Sequence, residues 1–241
     1  MMSQGNFKGK YALITGASSG LGKALVVEYA RRGCNIILVG RDAAKLSSLK
    51  DKIDSTHSGD HSMQICDLSS TDDIANMLLD SNFPNVDILV NAAGVFPINK
   101  ITDMSMEEYE QCIGINVTAP FMLIKELSRN MIDKSWGRII NIASSSAYAG
   151  GATTSAYCAS KHALLGLSRS LHKELKEHNI RVICVSPGSI KTEMGRKVEK
   201  LGQDFDTFME PEEVAEYVVF NSSFDGNLVS EELRLNRMFV Q

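Results

Sequence analysis

The chain has 241 residues, of which 44% are hydrophobic and 22% are charged, and its formal net charge is −4. This composition is typical of a folded globular protein, and the length suits one large α/β domain or two small ones. The charge offers no basic surplus for nucleic acid or an anionic membrane, and no apolar run approaches the ~20 residues that span a bilayer.

The five cysteines and five histidines are scattered along the chain, and no two cysteines form a Cys-x-x-Cys pair. This distribution predicts neither a metal site nor a disulfide framework, and it favours a reducing compartment. The first ten residues are polar and lack the apolar region of a secretory signal. We therefore expect a cytoplasmic protein that binds no metal, no nucleic acid and no membrane.

Apolar runs of strand length alternate with helical stretches along the chain. The runs consist of Val, Ile and Leu without polar alternation, which indicates strands buried on both faces of a parallel sheet. A helix starting near Pro211 and a seventh, edge-like strand at 232–238 end the pattern. The sequence predicts an α/β fold, a doubly wound parallel sheet of about seven strands with helices on both faces, as a single domain over 1–241. The other predicted strands are 11–15, 35–39, 63–66, 87–90, 138–143 and 181–185, and the other helices are about 21–32, 42–55, 71–80, 106–132 and 155–178.

A glycine-rich turn, Thr15 to Gly22, follows the first strand. Glycines permit a tight turn and close approach of the backbone to a pyrophosphate, which would rest on the amides of the helix N-terminus. The spacing is Gly-x-x-x-Gly-x-Gly, and Ala17 and Ala24 exclude the P-loop of nucleoside triphosphatases. The predicted cofactor contacts in this turn are Gly16, Ser18, Ser19, Gly20, Leu21 and Gly22.

The second strand ends at Val39-Gly40-Arg41-Asp42. An acidic residue at this place would bind the ribose of NAD. Arg41 instead offers a guanidinium group that can bind the 2′-phosphate of NADP through charge-assisted hydrogen bonds. We therefore predict NADP(H) rather than NAD(H) as the cofactor. Asp42 is expected to cap the following helix, but it could serve a ribose if Arg41 turned away.

Tyr157 and Lys161 are four residues apart near the start of a long predicted helix, so they lie on the same face. A phenol titrates near ~10 in water. An ammonium group beside it would lower the pKa of the phenol towards the range of a general acid or base. Alone, such a pair is more often a solvated helix face, and the other motifs decide for a functional pair.

Pro120 lies within the strongly periodic helix predicted over 106–132. Proline has no N–H group, and its ring clashes with the carbonyl group four residues earlier, which belongs to Asn116. We predict that the helix is distorted here and leaves the Asn116 carbonyl free to hold a water molecule.

Taken in chain order, these motifs resemble those of the short-chain dehydrogenase/reductase family over about residues 10–192. The glycine spacing is that family's own, the segment 91–94 is similar to its Asn-Asn-Ala-Gly motif, and the segment 187–192 resembles its Pro-Gly-x-x-x-Thr motif. The resemblance implies a single-domain Rossmann-type fold and a catalytic tetrad of Asn116, Ser144, Tyr157 and Lys161. It also implies cofactor contacts from Asp67, Leu68, Asn91, Ala92, Gly94, Tyr157, Lys161, Pro187, Gly188, Ile190 and Thr192.

The resemblance further implies hydride transfer between a nicotinamide and the carbonyl or secondary alcohol of a small-molecule substrate. Tyr157 would be the general acid or base, and Ser144 would donate a hydrogen bond to the substrate oxygen. Lys161 would hold the nicotinamide ribose, and Asn116 would support a water-linked proton relay. Residues 189–210 would form a substrate lid, with Phe96 and Tyr148 among the pocket residues. Family members are mostly dimers or tetramers, so a homodimer or homotetramer is expected.

Two alternatives remain open. A 3-oxoacyl-acyl-carrier-protein reductase would need a basic patch at the mouth of the site, which the residues Lys191, Arg196, Lys197 and Lys200 could form. However, the chain lacks the Asp-Gly-Gly segment that many such reductases carry at the last strand, and its ending looks more like that of broad hydroxy-acid and small-alcohol dehydrogenases. A non-catalytic NADPH-binding regulator would have a damaged tetrad, whereas all four residues are present here.

Overall fold

The computed structural model describes residues 7–199 and 201–238. The predicted absence of a secretory signal rests partly on residues 1–6, which lie outside the described residues. Lys200 of the predicted basic patch lies outside them as well. Seven parallel strands form one sheet in the order β3-β2-β1-β4-β5-β6-β7. The strands are β1 (Tyr11–Thr15), β2 (Asn35–Gly40), β3 (Ser62–Ile65), β4 (Ile88–Asn91), β5 (Gly137–Ile142), β6 (Ile180–Pro187) and β7 (Glu232–Leu235).

Helices cover both faces of this sheet, which confirms the predicted fold class. On one face, Ile14 and Leu38 of the sheet pack in a common core with α1, α2 and α8. On the other face, Leu13 and Ile37 pack with α3, α5 and the end of α6. The helices are α1 (Gly20–Arg31), α2 (Ala43–Thr56), α3 (Thr71–Leu79), α4 (Met106–Ile113), α5 (Ala119–Asp133), α6 (Ser155–Leu175), α7 (Glu193–Glu199) and α8 (Pro211–Ser222).

The predicted boundaries hold within one or two residues except at two places. The helix predicted to reach residue 178 ends at Leu175, because the chain tightens into a 3₁₀ turn and Asn179 then adopts a left-handed conformation with φ 56°. The last strand ends at Leu235 instead of residue 238. Its partner there is Pro187, which ends β6 and has no N–H group to continue the ladder. The prediction that β7 is an edge strand is confirmed, since within the described residues it pairs with β6 alone.

The helix predicted over 106–132 is divided by a π-helical turn, Gly114–Thr118, between α4 and α5. The amide of Ala119 donates to the carbonyl of Gly114, five residues earlier. Pro120 follows directly and has no N–H group to offer the Asn116 carbonyl. The predicted distortion is confirmed, and its form is a widened turn; a water molecule at Asn116 stays a prediction.

The strand order reverses at β1, whose neighbours are β2 and β4. In a doubly wound sheet, the connections on either side of this point leave in opposite directions and open a crevice at the carboxyl ends of the strands. The topology thus places the glycine-rich turn after β1 opposite the turn after β4.

Candidate active site

A cavity of about 1080 Å³ opens at the carboxyl ends of the strands. It brings together the glycine-rich turn, the ends of β2 to β6, the start of α6 and residues from the segments 187–198 and 201–203. Every predicted catalytic and cofactor-binding residue lines this cavity except Asn91 and Asn116, which are buried. The Asn91 side chain donates instead to Asn141 Oδ1 at 2.8 Å and ties β4 to β5.

The glycine-rich turn is shaped for close backbone approach. Gly16 has φ 65°, and a Cβ atom there would lie 2.8 Å from the Cα atom of Ala93. A Cβ atom at Gly22 would lie 2.2 Å from the Gly16 carbonyl oxygen. The N-cap residue of α1, Ser19, makes no side-chain cap, and the first turn contains no acidic residue. The helix therefore keeps its free amides and positive dipole end for an anion, as a dinucleotide pyrophosphate requires.

Arg41 and Asp67 meet at the far end of the same cavity, where their charged groups lie 3.8 Å apart. Hydrogen bonds from Ser69 hold the pKa of Asp67 below its usual range, and the Arg41 guanidinium adds to this effect. Asp42 accepts a hydrogen bond from the Lys45 amide at 3.0 Å, so its predicted role as a helix cap is confirmed. Lys45 itself lines the cavity and was missed from the sequence, although its place in the first turn of α2 was available as a signal.

Tyr157 and Lys161 are both buried in the first turns of α6, and the Lys161 ammonium lies 5.6 Å from the centre of the Tyr157 ring. That ammonium donates to the Ile142 carbonyl at 2.8 Å. Burial raises the pKa of Tyr157 to about 12, while a hydrogen bond with Ser144 acts in the opposite direction. The expectation that Lys161 lowers the phenol pKa is wrong for the chain alone, because burial dominates. Burial also lowers the pKa of Lys161 to about 8.

Ser144 follows β5 and lines the cavity next to Tyr157, with which its side chain forms a hydrogen bond. Its hydroxyl accepts a hydrogen bond from the Ser146 amide at 3.1 Å and caps the 3₁₀ turn Ser145–Ala147. The cap fixes the position of the Ser144 side chain and leaves its hydroxyl able to interact with Tyr157 as well.

Asn116 lies in the π-helical turn and is fully enclosed. Its Oδ1 atom accepts from the Val95 amide at 2.9 Å, and its Nδ2 atom donates to the Val95 carbonyl at 3.0 Å. A Cβ atom at Gly94 would come within 3.3 Å of Oδ1, so glycine gives this contact its space. Nδ2 also donates to Ser160 Oγ at 2.9 Å. Asn116 therefore joins the turn after β4 to the helix that carries Tyr157.

The substrate end of the cavity contains Phe96, whose ring meets the Tyr157 ring edge-on with centres 4.6 Å apart. Tyr148, the other expected pocket residue, turns away from the cavity. Its hydroxyl donates to Glu232 of β7 at 2.6 Å, and the Arg234 guanidinium lies 4.0 Å from its ring centre. The pairing of β7 with β6, a long-range feature, decides this orientation.

Within residues 7–199 and 201–238, no group of three or more His, Cys, Asp or Glu side chains is arranged to hold a metal ion. In the same ranges, none of the helices has the length and apolar character needed to cross a membrane.

The fold and site define a class of protein, and comparison with known proteins identifies it. The family model described as short chain dehydrogenase matches residues 10–201. The chain therefore belongs to the short-chain dehydrogenase/reductase family and is an oxidoreductase.

Particular relatives include the 3-oxoacyl-acyl-carrier-protein reductase FabG of Rickettsia prowazekii (strain Madrid E), which is 34% identical over 229 residues, 92% of each chain. A D-beta-hydroxybutyrate dehydrogenase of Rhizobium meliloti (strain 1021) is 35% identical over 191 residues, which cover 78% of this chain and 74% of the relative. Among solved structures, a metagenomic short-chain oxidoreductase in complex with NADP superposes with a TM-score of 0.83. It is 30% identical, and the match covers 96% of this chain and 99% of that one.

Proposed function

We propose that the protein is an NADP(H)-dependent oxidoreductase that interconverts a carbonyl group and a secondary alcohol on a small molecule. The observation that carries the proposal is the buried pair of Tyr157 and Ser144 in a cavity that also contains an uncapped helix N-terminus. When bound, NADPH supplies a hydride to the substrate carbon. The chain supplies the proton and the electrostatic stabilisation.

Tyr157 is the general acid in reduction. With its pKa at about 12, the phenol carries its proton at neutral pH and can donate it to the substrate oxygen. Ser144 donates a hydrogen bond to the same oxygen and stabilises the charge that develops there. Asn116 holds the turn after β4 against α6 and supports a water-linked relay through its carbonyl.

Groups of the chain itself bind the cofactor at its pyrophosphate, its nicotinamide ribose and its adenosine end. The amides at the start of α1 receive the pyrophosphate. Lys161 has one N–H bond directed to Ile142, and its other two are available to the nicotinamide ribose. Arg41 is exposed at the adenosine end and meets the 2′-phosphate of NADP. The related metagenomic oxidoreductase solved with NADP supports this cofactor choice.

The assay that tests the function follows the absorbance of the reduced nicotinamide with ketones, oxo acids and acyl thioesters, each with NADPH and NADH. We expect turnover of at least one carbonyl class and a preference for NADPH. If none of the carbonyl compounds is turned over, the catalytic function is refuted. A clear preference for NADH would refute the role of Arg41.

A second candidate is 3-oxoacyl-acyl-carrier-protein reductase, which the relative from Rickettsia prowazekii favours. The predicted basic patch is partly neutralised here. Lys191 pairs with Glu210 at 2.7 Å, and Arg196 lies 3.8 Å from Glu199. Acyl thioesters on a carrier protein, compared with the free ketones, distinguish this candidate: a lower KM for the carrier-bound form would support it.

We further propose a homodimer or homotetramer that works in the cytoplasm, with residues 1–241 as one domain and 189–210 as the lid. All five cysteines are free and buried, which suits a reducing compartment. Met106, Tyr109 and Phe121 expose their apolar side chains on α4 and α5, the helices expected to pair. Light scattering on the wild type and on Phe121→Glu tests the assembly, and a monomeric wild type would contradict it.

A further inference from the structure

Lys197 of α7 lies beside the reacting end of the cavity. Met194 and Val198 of the same helix line the cavity, and Lys197, three positions after Met194, is exposed at the edge of that helix face. The Lys197 ammonium lies 3.5 Å from the carbonyl oxygen of Phe96. The ring of the same Phe96 contacts Tyr157. A single residue therefore separates the Lys197 ammonium from the proposed general acid.

The other cations among the described residues of the lid, Lys191 and Arg196, have partners of their own. Lys191 forms an ion pair with Glu210, and Arg196 lies near Glu199 and 4.2 Å from the ring centre of Phe205. Among the described residues, the only hydrogen-bond partner of the Lys197 ammonium is the neutral Phe96 carbonyl, at the long limit for a hydrogen bond. An ammonium in this position would gain more from a carboxylate, because charge-assisted hydrogen bonds are shorter and stronger.

The cavity wall near Tyr157 offers few other charges. Hydroxyl groups line it at 144–146 and at 153–154, and Gln203 contributes an amide. Glu193 lines the cavity from the exposed start of α7 and adds a carboxylate, and Lys161 is committed to Ile142 and the cofactor. Among the described residues that line this wall, Lys161 is the only cation, so a negative substrate would need a cation from the rim of the cavity, where Lys197 contacts Phe96.

We propose that Lys197 is a specificity-determining residue that binds a carboxylate of the substrate, which makes oxo acids and their hydroxy acids the preferred substrate class. This inference rests on the proposed oxidoreductase function. A residue that only fastened the lid to Phe96 would affect charged and neutral substrates alike. A carboxylate-binding residue affects only the charged ones.

The test uses acid–ester pairs that share one reacting carbonyl: pyruvate, acetoacetate and levulinate, each with its methyl ester. NADPH oxidation is measured with the wild type and Lys197→Met, which keeps the apolar stem and removes the charge. We expect kcat/KM for the preferred acid to fall about tenfold or more, mainly through KM, because a charge-assisted hydrogen bond is lost. The ester should change by less than about twofold, and Lys197→Arg should recover most of the loss for the acid.

Lys191→Met is the matched control, since this lid lysine is paired with Glu210 and should leave both members of a pair unchanged. An equal loss for acid and ester in Lys197→Met, or no loss for either, would overturn the inference. A wild type that turns over esters but not acids would overturn it too and leave the oxidoreductase function standing. Absence of turnover across the whole carbonyl panel would refute the proposed function itself, and this inference with it.

Discussion

The side-chain amide of Asn116 donates a hydrogen bond of 2.9 Å to the hydroxyl of Ser160, which donates its own proton to the Tyr157 carbonyl at 2.7 Å. Ser160 is fully buried and touches no part of the cavity. It is therefore a positioning residue that links two members of the proposed tetrad. The sequence offered its spacing from Tyr157 as a signal, but not its contact with Asn116.

Ser160→Ala should reduce kcat about tenfold, equivalent to ~1.4 kcal/mol in the barrier, and leave NADPH affinity unchanged. The Asn116 amide keeps its hydrogen bond to the Val95 carbonyl, and the loss of its bond to Ser160 should also cost ~0.5–1.5 kcal/mol of unfolding free energy. Ser168→Ala is the matched control, because this buried serine of the same helix accepts from Asn141 and donates to Leu164 in the same way. Steady-state kinetics with urea unfolding should show similar destabilisation in both variants but a loss of kcat only in Ser160→Ala. Equal effects on kcat would reduce Ser160 to a structural role.

Tyr157→Phe should lower kcat by ~10²–10⁴-fold, the usual contribution of a positioned general acid. The phenol proton is lost while the ring contact with Phe96 is kept, so the cavity retains its shape. Single-turnover NADPH oxidation measures the chemical step, and quenching of NADPH fluorescence measures cofactor affinity. Affinity should be unchanged. A variant with full activity would exclude Tyr157 as the acid.

Cofactor binding should depend on pH through Lys161. Its pKa of about 8 in the chain alone lies below the usual lysine value, so the side chain is charged below pH 8 and neutral above it. The charged form is the one that complements the ribose and the anionic cofactor. NADPH affinity should therefore weaken as the pH rises through 8 and fall further towards pH 9.5. Titrations from pH 7 to 9.5 measure this directly.

Two variants assign that pH dependence. Lys161→Met should bind NADPH more weakly at pH 7 and lose the transition near pH 8. Tyr157→Phe should keep the wild-type profile, because the Tyr157 pKa of about 12 lies outside the titrated range. A flat wild-type profile would show that Lys161 stays charged throughout.

Arg41→Ala should weaken NADP binding by ~10–100-fold, the range expected when a hydrogen bond to a charged group is removed. NAD has no 2′-phosphate, so its affinity should stay within about twofold and serves as the internal control. The neighbouring Asp67 would lose its cation 3.8 Å away, a small effect for exposed groups. Calorimetric titration with both cofactors measures the difference. Equal losses for NADP and NAD would contradict a phosphate contact.

The sequence was sufficient to predict the sheet and its helices, because buried strands appear as apolar runs in the local sequence. Apolar runs located the first six strands and period-two alternation located β7, each within a few residues, and the glycine-rich turn predicted after β1 has the shape of an anion site. Pro120 predicted the distortion at Asn116, since the missing N–H group is a property of one residue and its spacing.

The rest depended on contacts between distant segments. The predicted direction of the Tyr157 pKa shift was wrong because burial raises this pKa. The burial depends on how α6 packs on the sheet, which the spacing between Tyr157 and Lys161 does not reveal. Tyr148 does not line the pocket as predicted, because its hydroxyl binds Glu232, which is far along the chain. Lys45 and Ser160 were missed although their positions in the sequence offered a signal, because their contacts appear only when α2 and α6 are in place.

The pairing of Cys184 with Glu232 has a consequence for synthesis of the chain. Parallel strands pair only after the whole connection between them has been made, so β6 presents an open edge until residues 232–235 leave the ribosome. Until then Glu232 cannot bind Tyr148 or Arg169, and the loop that carries Ser144 lacks this anchor. Such long-range pairing slows folding and prolongs exposure to aggregation. The surroundings of Ser144 should therefore form late in the nascent chain, and chaperones would be of most use during the delay before β7 docks.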